Sequence, residues 1–311
     1  MIQQPKAMFC WRTCLPTLPA FVMVAVLASG CSAVIGGKPV MQSDQAFFFA
    51  GNVSTYGQPV SADDTDALLY LRALRRIDVC GLLTGSTLAK VGELVSVGTT
   101  LAFDECDAEV KMSGAGARRF VALTLETAPR DPVSVCNVAV PLPLNRLPGA
   151  PKQPAAFKPA VRVELIVDTD CKVERRIGDG LAQRLAEPLP PRDAAAVYPA
   201  RLAERDPCEV LSVLTGITAW DVAGSGPYRC RFALDGEGLQ VRLQPRYADD
   251  GATECTAFEF VDADMQRRVI GGGYVSLGSV VIRPAVVVED VDAHDCAAVA
   301  GVAAAAGKLY G

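Results

Sequence analysis

The chain has 311 residues, 50% of them hydrophobic and 21% charged, with 30 basic and 35 acidic side chains and a formal net charge of −5 at pH 7. That charge opposes a polyanion and no basic stripe offsets it, which argues against nucleic acid as a partner. The one histidine, His294, would have to serve any Ser-His-Asp triad, and no GxSxG supplies the serine.

Lys6 and Arg12 are the only charges among the first thirty residues, and Pro19 to Ala28 runs PAFVMVAVLA without a polar side chain. A basic start followed by a short apolar run reads as a signal segment over 1–30, too short for a permanent spanning helix. Next comes Leu27-Ala28-Ser29-Gly30-Cys31, which resembles the lipobox of bacterial lipoproteins, where the cysteine becomes the acylated first residue. The alternative is an ordinary secretory signal cleaved nearby. Acyl chains on Cys31 would hold the protein on the outer face of the cytoplasmic membrane without burying polypeptide. Loss of residues 1–30 leaves 28 basic residues against 35 acidic, a net charge of −7, so lipid rather than electrostatics has to supply the attachment. Residues 31–65 read as a lipidated tether whose Phe47, Phe48 and Phe49 fold back onto the following domain.

Of eleven cysteines, Cys10 and Cys14 leave with the signal and Cys31 carries lipid. Eight remain, an even number suited to an oxidising compartment. No two of these lie closer than 22 residues, so neither a zinc site nor a CxxC redox centre is indicated, and no metal or cofactor is expected. They divide into Cys80, Cys106, Cys136, Cys171 and Cys208, Cys230, Cys255, Cys296. Corresponding members lie 128, 124, 119 and 125 residues apart. YLRALRRIDVCGLL (Tyr70 to Leu83) aligns without a gap on YPARLAERDPCEVL (Tyr198 to Leu211), and an apolar run closes on Asp-Cys before both Cys171 and Cys296. A duplication follows, with domains at 66–188 and 189–311. Repeat symmetry favours bridges from first to second and from third to fourth cysteine in each copy.

In chain order, Cys80 and Cys208 sit in the first turn of short helices. Asp206-Pro207-Cys208-Glu209 reads as a capping box, and Asp78 takes the same cap position in copy one. Further short helices are expected at STLAKVGEL from Ser86 and ITAWDVAG from Ile217. Strand-like segments in copy one are Leu101–Val110, Arg119–Glu126, Val133–Val140 and Val161–Val167. Between the last two, the proline-rich stretch Leu142–Ala160 reads as an extended loop. Copy two offers Tyr228–Leu234, Leu239–Leu243, Cys255–Val261, Tyr274–Val280 and Val281–Val288. Each copy closes with a helix, after Asp170 and after Asp295. The expected fold is α+β, two tandem related domains, each an antiparallel sheet with helices on one face, stapled by disulfides.

The Asp-Pro-Cys start at Asp206 to Cys208 with Leu211, its counterpart at Asp78, Cys80, Leu82 and Leu83, and the Asp-Cys helix openings at Cys171 and Cys296 resemble a group of actinobacterial, especially mycobacterial, envelope lipoproteins of unknown function. There is a fainter similarity to the extracellular sensor domains of mycobacterial serine/threonine kinases. The resemblance implies ligand sensing or an accessory envelope role and carries no catalytic residue. The glycine run Gly271 to Gly273 precedes a strand and lacks a phosphate-loop context. The acidic stretch Glu289 to Asp295 reads as a solvated turn rather than a cation site. The leading expectation is a non-enzymatic binding or sensor-like module with a cleft between the copies, lined by Trp220, Tyr228 and Tyr274, that takes a small hydrophobic ligand. The alternatives are an accessory subunit of a membrane protein complex and, third, an enzyme of unrecognised type.

Overall fold

Ser61 opens helix α1 (Ala62–Arg75). Its hydroxyl accepts from the Asp64 amide at 3.1 Å while the Asp64 carboxylate accepts from the Ser61 amide at 3.3 Å, a reciprocal capping box. The helix thus begins inside the stretch read as tether. The computed structural model describes residues 45–114, 116–128, 136, 138–165, 171–192, 200–253, 255–261, 266–269, 274–276, 281–291 and 296–311. Cys31 and the signal-like segment lie outside the described residues. Phe48 and Phe49 are buried, and the Phe49 ring meets Tyr70 of α1 edge-on at 5.1 Å, so this aromatic run does fold back. Phe47 stays largely exposed.

After α1, copy one runs through a 3-10 turn at Cys80–Leu82, a single helical turn α2 (Gly85–Leu88), strands β1 (Gly92–Gly98), β2 (Glu105–Met112), β3 (Arg118–Glu126), β4 (Val138–Pro141) and β5 (Ala160–Leu165), and helix α3 (Lys172–Arg184). Copy two follows with a 3-10 helix at Pro207–Ser212, then β6 (Ile217–Gly226), β7 (Arg229–Leu234), β8 (Glu237–Tyr247) and β9 (Thr256–Phe260). A short hairpin of β10 (Gln266–Val269) and β11 (Tyr274–Ser276) precedes β12 (Ile282–Asp290) and the closing helix α4 (Ala297–Tyr310). Copy one's own strands lie in the order β1-β2-β3-β5-β4, and copy two's in the order β6-β7-β8-β12-β9. These are the same topology, five antiparallel strands with the fourth on the outer edge beyond the fifth. Helix α3 packs on β4 and β5, and α4 on their counterparts β9 and β12. The fold is α+β with two similar halves, and the duplication extends to strand order.

The disulfides repeat the symmetry. Cys80–Cys106 and Cys208–Cys230 tie each 3-10 segment to the second strand of its sheet, and Cys136–Cys171 and Cys255–Cys296 tie the approach to the fourth strand to the start of the closing helix. They close loops of 26, 22, 35 and 41 residues, each expected to contribute roughly 2 to 4 kcal/mol by restricting the unfolded chain.

Three expectations need correction. The segment from Ile217 is strand β6 and not a helix, so Trp220 lies on a strand. Left-handed Gly216 (φ +85) leads into β6, which folds back on β7 across the turn between Gly226 and Arg229, and cross-strand pairing from Ile217↔Leu234 onward overrides local helix preference. STLAKVGEL forms only one helical turn before becoming β1, paired with β2 from Gly92↔Met112. Asp206 does cap, its Oδ1 accepting from the Cys208 amide at 2.9 Å, but Glu209 turns away to pair with Arg205, so no capping box forms. In copy one the 3-10 turn is preceded by Val79, where copy two has Pro207. A Cβ on Gly81, where copy two has Glu209, would stand 2.8 Å from the Asp78 carboxylate and 2.9 Å from Pro190.

The β10–β11 hairpin breaks the symmetry. It occupies the position that the proline-rich loop fills in copy one, and β10 pairs antiparallel with β1 at Ser96↔Val269 and Val97↔Arg268. Copy two therefore extends copy one's sheet to seven strands. Met41–Gly311 form one compact unit, and among the described residues no helix is long and apolar enough to cross a membrane.

Candidate functional site

The C-terminal turns of α1 carry Arg72, Arg75 and Arg76, spaced i, i+3, i+4 and hence on one face. Arg72 donates to the carbonyls of Asn52 (2.7 Å), Gly51 (2.7 Å) and Phe49 (3.1 Å). Arg76 donates to those of Phe47, Ala50 (3.1 Å) and Phe48 (3.3 Å), and its guanidinium lies over the Phe47 ring. The two side chains thereby clasp the segment leading into α1. Arg75 faces the other copy, with Nη2 on Asp206 Oδ2 at 2.6 Å and Nη1 on the Pro227 carbonyl at 3.2 Å.

Asp206, the aspartate of the Asp-Pro-Cys motif, is the centre of this junction. Besides capping Cys208 and pairing with Arg75, it stands close enough to the Tyr56 phenol to act on it electrostatically. Burial first, and Asp206 second, push the Tyr56 phenol well above its usual range, so it remains a donor. Tyr56 also takes the left-handed conformation (φ 54) that disfavours side chains. Its ring stands 6.2 Å from Trp220, whose indole Nε1 is buried without a hydrogen-bond partner.

On the far side of Arg75, buried Tyr228 donates to the Ala203 carbonyl at 2.9 Å and packs against Phe103 of copy one at 5.5 Å. Burial raises its phenol to about 12, against the opposing influence of Arg192 and Arg75. Arg192 lies over the Tyr228 ring and donates to Phe103 (2.9 Å) and Ala203 (3.3 Å) carbonyls, joining the copies a second time.

These groups border a cleft of about 450 Å³ lined by Arg72, Arg75, Arg76, Arg192, Tyr56, Phe47 and Asp206 among others. The junction brings Trp220 and Tyr228 into one connected set through Tyr56, Asp206 and Arg75, although neither lines the cleft itself. Tyr274 does not join them. It falls on β11, the outermost strand of the seven-stranded sheet. The four arginines were not among the expected site residues. For three of them a signal was present: LRALRR concentrates positive charge in an acidic chain, and the aligned positions in copy two are Ala200, Ala203 and Glu204, so the duplication diverged there.

Two other cavities are less suited to a ligand. One of about 170 Å³ lies where β2 and β3 approach β7 and β8, lined by Asp104, Glu105, Arg229 and Arg242. The other, about 790 Å³, is an open groove between β4, the proline-rich loop and α3, confined to copy one. Among the described residues no group of three histidine, cysteine or acidic side chains is positioned to hold a metal. Asp292, His294 and Asp295 of the acidic stretch lie outside them, while Glu289 accepts from Gln240 at 2.7 Å. No known family, curated protein or solved structure matches the chain.

Proposed function

We propose that the protein is a non-catalytic, lipid-anchored component of the cell envelope, held outside the cytoplasmic membrane through Cys31, that binds a small molecule in the cleft between its two halves. The observation that carries the reading is the cleft itself. It is walled by both copies, its volume of about 450 Å³ is within the range of small-molecule sites, and it gathers polar groups from α1, the preceding segment and the Asp-Pro-Cys motif. Four disulfides and the signal-like start support residence in an oxidising compartment.

The test is an affinity pull-down of the full-length protein from gently solubilised native membranes, with a Cys31→Ala control and mass analysis of everything retained. An equimolar small molecule or lipid on the wild-type protein is the expected result. A stoichiometric protein partner with no small molecule would replace the reading with that of an accessory subunit. Equal release of wild-type and Cys31→Ala chains from membranes would remove the anchor.

A further inference from the structure

We infer that the cleft takes the phosphate monoester group of its ligand, an inference that rests on the junction being the binding site. Four guanidinium groups line it, from Arg72, Arg75, Arg76 and Arg192, against the two carboxylates of Glu204 and Asp206. Among the described lining residues this is an excess of two positive charges, in a chain with net charge −5.

The carbonyls that Arg72 and Arg76 grip satisfy N–H groups but carry no neutralising charge. Burial and then repulsion from neighbouring arginines lower both guanidinium groups from their usual value, while an arginine at any working pH stays charged. Asp206 is shared between Arg75 and the Cys208 amide. In addition, Arg72 Nε is buried without a hydrogen-bond partner. Among the described residues, the lining thus holds more positive charge than its own carboxylates offset, and one arginine donor without a partner.

A phosphate monoester carries about −1.5 to −2 charge at neutral pH and presents three strong acceptor oxygens. That matches the excess of two, and a tetrahedral group can meet donors arriving from α1 on one side and Arg192 on the other better than a planar carboxylate can. The cleft far exceeds the size of bare phosphate, and Phe47, Val53 and Tyr56 supply an apolar wall for an organic portion. The same headgroup chemistry is available from a soluble phosphate ester or from a phosphatidic-acid-type lipid in the membrane beside the anchor.

The experiment uses the purified full-length chain in detergent and follows emission from Trp220, the only tryptophan beyond Trp11 of the signal-like segment, with calorimetry in parallel. The probes are glycerol 3-phosphate, inorganic phosphate, and phosphatidylcholine vesicles with and without phosphatidic acid. Saturable one-site binding of glycerol 3-phosphate indicates a soluble source, and binding only to phosphatidic acid vesicles a lipid source. Either supports the inference. Arg76→Gln is expected to weaken binding by about tenfold or more. Because that change also loosens the clasp on residues 47–50, Glu204→Gln provides the independent check. Glu204 is exposed, and removing its charge should tighten binding several-fold without disturbing the fold. Absence of binding to every phosphate probe, or no change of affinity in Glu204→Gln, overturns the inference. A neutral molecule retained in the pull-down would then leave the binding reading intact, whereas an empty cleft in both experiments would end both.

Discussion

Glu105 opens β2 at the point where the two sheets approach each other, and its carboxyl is pushed from 4.5 to about 8, first by burial and then by Asp107, Asp104 and Glu164. The folded chain therefore retains a proton that the unfolded chain releases near 4.5. Stability from this group is fully present below that value and declines as pH rises towards about 8. Glu105→Gln mimics the protonated form, so its advantage in melting temperature over wild type should be smallest in acid and grow across that window. Parallel melting curves from acid to mildly alkaline pH would show that the carboxyl is solvated after all. Such an effect was not legible in the sequence, because the neighbours that raise Glu105 include Glu164, which only the packing of β5 beside β3 brings near. The cysteines were legible at the residue scale for the opposite reason. Their even number pointed to bridges, while the pairing itself was only favoured by the repeat symmetry. Of the expected cleft residues, Trp220 and Tyr228 sit at the junction without lining the cleft, and the charged groups between them come from a helix and a motif more than 120 residues apart in sequence.

At the scale of elements, the closing helices were readable from their apolar steps. Val173, Ile177, Leu181 and Leu185 recur every four residues, and Ile177, Leu181 and Leu185 are buried. The segment from Ile217 misled because its composition suits a short helix, while its conformation is set by partners on β7. Glycines inside the closing helices separate local preference from packing in the same way. A Cβ on Gly180 of α3 would stand 2.3 Å from the Thr87 carbonyl of α2, whereas one on Gly301 of α4 meets nothing within 4 Å. Glycine costs about 1 kcal/mol in a helix relative to alanine. Gly180 therefore trades propensity for close approach of α3 to α2, and Gly301 trades it for nothing that packing reveals. Gly180→Ala is expected to destabilise by about 1 to 3 kcal/mol through overpacking. Gly301→Ala should stabilise by about 0.4 to 1 kcal/mol, and urea unfolding of the two variants beside wild type reads both signs. A gain in both would mean that α2 yields freely to α3.

At the scale of the whole molecule, the cysteine period revealed a duplication but suggested halves that are merely tandem. The two are interlocked. Phe103 of copy one and Tyr228 of copy two bury their rings against each other, α1 packs on β6, and Arg192 and the Arg75–Asp206 pair tie backbone and side chains across the junction. The hairpin that covers β1 comes from copy two, and no local pattern in QRRV or YVS could announce a partner some 170 residues earlier in the chain. Without it β1 would be an uncovered edge presenting unpaired backbone groups, the usual template for association between chains. Residues 45–192 expressed alone in an oxidising compartment should therefore form its disulfides poorly and elute as aggregate, despite containing all of copy one's own strands. Supplying residues 200–311 in trans should restore a soluble heterodimer, because the hairpin and Tyr228 then return to their places. Size-exclusion chromatography with disulfide mapping distinguishes the cases. A monomeric first half with Cys80–Cys106 and Cys136–Cys171 correctly formed would mean that the junction positions the cleft without being needed for either fold. Interlocking instead implies that the cleft's two walls are fixed relative to each other when the chain folds, so that its arginines converge before any ligand arrives and affinity is not spent on ordering them.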